Sequence, residues 1–259
     1  MLESNLFFLA IVGGFVAAAS AYLGSIMILK RMALVGDALT HVALPGMAVA
    51  LSLSINPTIG AFVALSLAVV GIWYLGKSSD VYPEALVGVF FTASLALGVL
   101  LTDEVELLEA LFGNIESLGV LDGFITILLS VVVLIATFML SKRLLISIVS
   151  EEMAETSGVN VQRTNLLYML LVGLIVSLGI KFVGTLLMGA LVIVPAVAAK
   201  NLTRNIYSYF AVSIFFGVAS AILGIIIAAK SGVSVGAIVV CISVVLYILS
   251  YIVKKILKI

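Results

Sequence analysis

The sequence predicts an all-α fold: a polytopic transmembrane bundle of eight or nine spans, with the N-terminus outside and the C-terminus in the cytoplasm. Three observations predict it. Of 259 residues, 64% are hydrophobic and 10% charged, whereas a soluble domain carries about 25% charged residues. Too few charges remain to cover a water-facing surface, so lipid is the solvent. The apolar residues gather in nine uninterrupted stretches, close to the ~20 residues that cross a ~30 Å hydrocarbon core. The Lys and Arg residues fall between those stretches in an alternating pattern, and their distribution, rather than net charge, sets orientation.

The elements follow in order. Residues 6–29 form the first span; the preceding MLESN has an acidic residue where a signal peptide is basic, and the apolar run is too long for a cleaved segment. Residues 32–54 form the second, which Asn56-Pro57 is expected to stop, and 58–76 the third. The fourth, 84–101, opens at Pro83, a residue tolerated in a first turn, with Glu84 complementing the helix dipole. The fifth covers 121–141. Lys181 then divides the stretch from Thr164 to Ala199 into halves, 164–180 and 182–199, that are short for a span. Either half reads as a span or as a broken, partly buried helix, hence eight or nine. Residues 206–229 and 233–253 complete the set, and the chain reads as one transmembrane domain over 1–259.

Alternating nine spans from an outside N-terminus places Lys30, Arg31, Lys77, Lys142, Arg143, Arg163, Lys200, Arg204, Lys254, Lys255 and Lys258 in the cytoplasm. Only Lys181 and Lys230 stay outside, so 11 of 13 basic residues share one side. Net charge is zero and the basic residues are scattered, which excludes nucleic acid as a partner. The single cysteine, Cys241, forms no internal disulfide. Small residues at four-residue spacing (Gly13, Ala17, Ala21; Ser213, Gly217, Ala221; Gly232, Gly236) let helix backbones approach closely in lipid, within one subunit or across a subunit interface.

Two polar segments interrupt the pattern. The outer one, residues 102–122, has helical spacing at Val105, Leu108, Leu111 and Phe112 and carries Asp103, Glu104, Glu106, Glu109, Glu116 and Asp122. It reads either as a cation-attracting or docking surface or as a solvated loop face. The inner one contains SEEMAETSGVNVQR. Ser150 suits an N-cap, Glu151 and Glu152 the first turn, and Gly158 a left-handed end, so a short helix over about 150–158 is expected outside the membrane, as a docking element or a simple loop helix.

Asp37 is the only acidic residue deep within an apolar stretch, and His41 is the only histidine. An ionised Asp near the bilayer centre costs about 2.5–3.5 kcal/mol on the mildest scale, so it needs a partner or a watery cavity. Residues i and i+4 share a helix face. Carboxylate and imidazole there suit a borderline divalent cation such as zinc or manganese; the other reading is a structural ion pair. Pro45 lacks an N–H, leaving the carbonyl of His41 without its helical donor, and Gly46 permits close packing. Pro195 does the same for Leu191, and both prolines are candidate helix kinks. No phosphate-cradling loop, nucleophile elbow or pair of zinc-binding histidines is expected, so transport is favoured over hydrolysis and no permanently bound cofactor is expected. A proton-coupled secondary transporter, with Asp37 and His41 as a relay, is the alternative.

The stretch MALVGDALTHVALPGMAVAL resembles the second-span signature of ABC-3 family permeases, the membrane subunits of zinc and manganese ABC importers. PEALVGVFFT, LEALFGNI, EEMAETSGVNV and KFVGTLLMGALVIVPAVAAK resemble its later blocks in the same order. The resemblance implies a permease dimer, homodimeric by expectation, in the cytoplasmic membrane, driven by cytoplasmic ABC ATPase subunits and fed by an extracytoplasmic metal-binding protein. It also implies that Asp37 and His41 lie on the path of the transported divalent metal. Glu151, Glu152, Ala154 and Gly158 correspond to the helix that seats on the ATPase.

Overall fold

The structure is a computed structural model that describes residues 2–78, 83–101, 110–113 and 119–257. The membrane placement of the polar residues 102–109 and 114–118 therefore lies outside the described residues, as does that of Lys258. All regular structure among the described residues is helical. The helices are α1 (Leu2–Leu29), α2 (Ala33–Ser52), α3 (Pro57–Ser78), α4 (Pro83–Leu101), α5 (Val120–Val149), α6 (Glu151–Thr156), α7 (Val161–Val183), α8 (Thr185–Leu202), α9 (Ile206–Ser231) and α10 (Val235–Leu257). Seven are long and apolar enough to cross a membrane, α1, α2, α3, α5, α7, α9 and α10, and two shorter apolar helices fall at Ala85–Leu101 and Leu187–Leu202.

The interior is organised around α1. Its small residues Gly13, Ala17 and Ala21 lie against the matching stripe of α9: a Cβ on Gly217 would come within 2.7 Å of the Ala21 Cβ, and Ser213 donates a hydrogen bond to the Ala21 carbonyl at 2.9 Å. Tyr168 of α7 donates to the Leu23 carbonyl at 2.8 Å and Tyr209 of α9 to the Ser25 carbonyl at 3.1 Å. Such bonds between helices contribute about 0.6–2 kcal/mol each where no water competes. The stripes of α1 and α9 therefore pack against one another within a single chain. Gly232 belongs to no such contact. It is the left-handed cap of α9, with φ 66° and open space around its Cα, while Gly236 packs closely on the Val183 carbonyl.

Three sequence expectations are corrected. Asn56-Pro57 does not stop the second helix, which ends at Ser52; instead the Asn56 side chain accepts from Thr58 N–H at 3.0 Å and caps α3. The break near Lys181 falls three residues later, at Gly184, whose φ of 80° and ψ of 165° only glycine adopts readily. Lys181 stays in the last turn of α7 and pairs with Asp122 at 3.0 Å. Capped by the Asn160 side chain, α7 thereby reaches 23 residues, about 34 Å at 1.5 Å per residue.

The third correction concerns letters rather than structure. Gly71–Ser78, GIWYLGKS, carries the spacing of a phosphate-binding loop, and Gly232–Gly236, GVSVG, that of a nucleophile elbow. The first is the continuous end of helix α3, so its N–H groups are bonded along the helix instead of turned toward a phosphate. The second lies where α9 gives way to α10, and Ser234 donates weakly to the Phe112 carbonyl at 3.4 Å rather than to a base. Neither performs the chemistry its letters denote.

The bundle has two distinct ends. Lys30 of the α1–α2 corner, the C-terminus of α3 and the N-terminus of α7 meet at one, with Glu151 of α6 beside them. At the other, Phe8 stacks tilted on Phe124 with centroids 5.6 Å apart, Lys181 meets Asp122, and Gly113 abuts Gly184.

Candidate functional site

Helix α2 carries Asp37, His41 and Pro45 and continues as an α-helix through the proline. Three other helices close on it. From α4, Phe91 meets the His41 ring edge-on, with centroids 5.3 Å apart and planes at 69°, and Gly98 faces Leu44 and Pro45. From α3, Gly60 and Gly46 face each other so closely that a Cβ on either would meet the other's carbonyl oxygen. The expectation that Gly46 permits close packing holds. From α8, Gly189 lies directly over Asp37: a Cβ there would stand 2.3 Å from Oδ1 and 3.1 Å from the Asp37 Cα.

His41 is buried, with 9% of its surface exposed, and its Nδ1 has no hydrogen-bond partner. Asp37 is half-buried. Among the described residues the one ion pair within 4.0 Å is Lys181–Asp122, so Asp37 and His41 do not neutralise each other by direct contact. What remains is a carboxylate without a side-chain donor and an imidazole with a free nitrogen, four residues apart on one helix. An unsatisfied buried polar atom costs about 1–3 kcal/mol, which applies here to His41 Nδ1. No cluster of three or more His, Cys, Asp or Glu side chains suited to a metal occurs among the described residues. Asp37 and His41 by themselves therefore make no complete metal site among the described residues.

Pro195 lies in α8, six residues beyond Gly189, and α8 also runs through its proline without interruption. Gly189 and Phe91 escaped sequence reasoning. The available signal for Gly189 was a glycine within an apolar helix, which marks close backbone approach without naming the partner. Phe91 carried no signal at all.

The second predicted element is helix α6. Ser150 Oγ accepts from Met153 N–H at 3.2 Å, as an N-cap does. At the other end Gly158, φ 80°, donates its N–H to the Glu155 carbonyl and Val159 donates to the Ala154 carbonyl, both at 2.9 Å, which is the Schellman closure. Ala154 is fully buried against the bundle, while Glu151 and Glu152 face outward. Lys30, at the corner between α1 and α2, donates to the Asn165 side chain. Desolvation pushes its ammonium below the usual range, partly offset by the nearby Glu151. One lysine thereby touches α7, senses α6 and sits at the root of the helix that bears Asp37.

The chain matches known proteins along nearly its whole length. The profile described as "ABC 3 transport family" matches residues 3–254. It is 34% identical over 251 residues to the manganese import system permease protein ScaB of Streptococcus parasanguinis, covering 95% of this chain and 89% of that protein. It is 32% identical over 238 residues to the high-affinity zinc uptake system membrane protein ZnuB of Haemophilus influenzae, covering 89% and 90%. Among solved structures, PsaBC from Streptococcus pneumoniae in complex with Fab superposes with a TM-score of 0.83 at 31% identity, covering 97% of this chain and 91% of that one. An apolar helical bundle and a family match over residues 3–254 lead to one conclusion: the chain is an integral membrane protein that belongs to the ABC 3 transport family.

Proposed function

We propose that the chain is the permease subunit of an ATP-driven importer that carries a divalent transition-metal ion, manganese or zinc, across the cytoplasmic membrane. The observation that carries this reading is the pair Asp37 and His41, an unpaired carboxylate and an imidazole with an unpartnered nitrogen, in a chain of the ABC 3 transport family. The metals named for the similar permeases support the choice of cation. Family membership favours ATP as the energy source and sets the proton-coupled alternative aside.

The seven long helices and two shorter apolar ones supply nine spans. With the Lys-rich end inward, the N-terminus lies outside and the C-terminus in the cytoplasm. The permease acts as a homodimer. Leu34 on α2 is 83% exposed in the single chain, and a twofold copy seated there would bring a second Asp37 and His41. Two ligands from each copy would give four, the usual number for zinc. An extracytoplasmic metal-binding protein delivers the ion to this shared space. Two ATPases hold α6 through Glu151 and Glu152, and their closure moves Ala154 and the Lys30 corner, exposing the metal path alternately to either side. The carbonyls of His41 and Leu191, freed by Pro45 and Pro195, give the two helices places to bend.

The test uses the complete complex in vesicles with radioactive manganese or zinc. Wild-type protein should accumulate metal with ATP, regardless of an uncoupler. Asp37→Ala and His41→Ala should each lower uptake by at least about tenfold, given that perturbing groups around a metal costs 10–100-fold, while assembly and basal ATP hydrolysis persist. Normal uptake by both variants would refute the site, and uptake that ignores ATP but collapses with an uncoupler would restore the proton-coupled reading.

A further inference from the structure

Lys30, Asn165 and Glu151 line one cavity of about 370 Å³ at the Lys-rich end of the bundle. They come from three places in the chain: Lys30 from the corner between α1 and α2, Asn165 from near the start of α7, and Glu151 from the start of α6. The Lys30 ammonium donates to the Asn165 side-chain oxygen. It makes no ion pair with Glu151 within 4.0 Å, although the field of that carboxylate reaches it. An ammonium has three donors on a flexible stem. A neutral partner thus holds Lys30 in contact while a charged one stands beyond contact.

The corner that carries Lys30 is itself strained. Arg31 N–H donates to the Ile28 carbonyl at 3.1 Å and Met32 N–H to the Met27 carbonyl at 3.0 Å. These paired bonds close a helix through a left-handed residue, a place that usually falls to glycine. Here the residue is Arg31, with φ 60°. The residues that close α6 and cap α9 in the same way are Gly158 and Gly232. A Cβ disfavours this conformation, and a strained residue persists only where its surroundings hold it. The Arg31 side chain is exposed, and the neighbouring bond from Lys30 to Asn165, 135 positions away, ties the corner to α7. Helix α2 begins at Ala33 and carries Asp37 without a break, so a shift of the corner reaches the carboxylate along one helix.

We propose that Lys30 is a positioning residue whose bond to Asn165 latches the strained Arg31 corner. When α6 moves, the corner relaxes, the ammonium exchanges Asn165 for Glu151, and the root of α2 shifts with it. The inference rests on the reading of the chain as an ATP-driven permease, since it takes the ATPase as what moves α6. Exchange of partners makes the step reversible, because a partly buried charge left without a partner is costly.

The complete complex in vesicles gives two readouts, ATP hydrolysed without metal and metal carried per ATP. ATP-driven uptake by the unaltered complex tests the underlying reading, and the variants test the latch. Asn165→Leu frees the ammonium and should raise metal-free hydrolysis and lower metal per ATP, each by about fivefold, the low end for coupling between two sites. Adding Arg31→Gly should bring both readouts most of the way back, because glycine keeps the left-handed corner without a latch. A purely structural defect at Asn165 would gain nothing from a change at exposed Arg31. Lys30→Met should lower metal per ATP without raising metal-free hydrolysis, and in its presence Asn165→Leu should no longer raise it. Unchanged coupling in Asn165→Leu, no restoration by Arg31→Gly, or a rise in hydrolysis that survives Lys30→Met would each overturn the proposal. All variants should co-purify with the ATPase; its loss from Asn165→Leu would place the defect in docking and overturn the latch as well.

Discussion

Helix α6 satisfies its own ends within ten residues: Ser150 caps one, Gly158 and Val159 close the other, and only Ala154 is buried in the bundle. Helix α2 does the opposite. It buries the one histidine with an unpartnered nitrogen, interrupts its own hydrogen bonding at Pro45, and depends on Phe91, Gly60 and Gly189 from three other helices for its surroundings. Under the proposed function α6 docks a partner that comes and goes, and local closure suits that task. The proposed transport site on α2 would hold an unsatisfied group ready for an ion, which is tolerable only where the surrounding helices fix it in place.

The contrast can be broken most forcefully at the exposed carboxylates. Replacing Glu151 and Glu152 together by Ala should abolish co-purification with the ATPase subunits and with it ATP-driven uptake. The bundle itself should stay intact, because both residues face outward. Unchanged co-purification would mean that the ATPase seats elsewhere. A smaller effect is expected at the buried site. Gly189→Ala places a Cβ against Asp37, within 2.3 Å of Oδ1, and should destabilise the protein by about 1–3 kcal/mol, as overpacking does, with uptake falling alongside. Gly88→Ala, on the neighbouring α4 with nothing within 4 Å of its added Cβ, should change neither. Equal behaviour of the two variants would remove Gly189 from the site.

The smallest effects belong to the local frame of α6. Gly158→Ala forces a left-handed residue at φ 80° and should cost about 1–2 kcal/mol, while Ser150→Ala removes one cap at about 1 kcal/mol. Both should appear as faster amide exchange over Glu151–Val159 with metal uptake only modestly reduced. A change confined to α2 instead would show that the two regions are coupled more tightly than their architecture implies.

How far the sequence reached differs between the two regions for the same reason. The ends of α6 were legible because capping is written in adjacent letters, Ser150 at one end and Gly158 at the other. Asp37 and His41 were equally legible, since one acidic residue and one histidine four apart stand out in an apolar chain. Their setting was not. Nothing in the sequence joins Gly189 to Asp37 across 152 positions, or Phe91 to His41 across 50, because long-range packing leaves no local signature. The break at Gly184 was misplaced for a related reason: Lys181 looked like an interruption until Asp122, 59 residues earlier, supplied its counter-charge.

The phosphate-loop and nucleophile-elbow spacings make the converse point. Letters in the right order carried no chemistry once Gly71–Ser78 proved to be helix and Gly232–Gly236 the cap of α9 running into the first turn of α10. By itself the sequence determined the solvent, the helical class and the identity of the rare polar groups within apolar stretches, because each follows from composition or from neighbours along the chain. Tertiary structure alone decided which polar groups remain unsatisfied. His41 and Trp73 kept an unpartnered nitrogen while Lys181 did not, and that depends on what the fold brings within about 3 Å of each atom, the reach of a hydrogen bond.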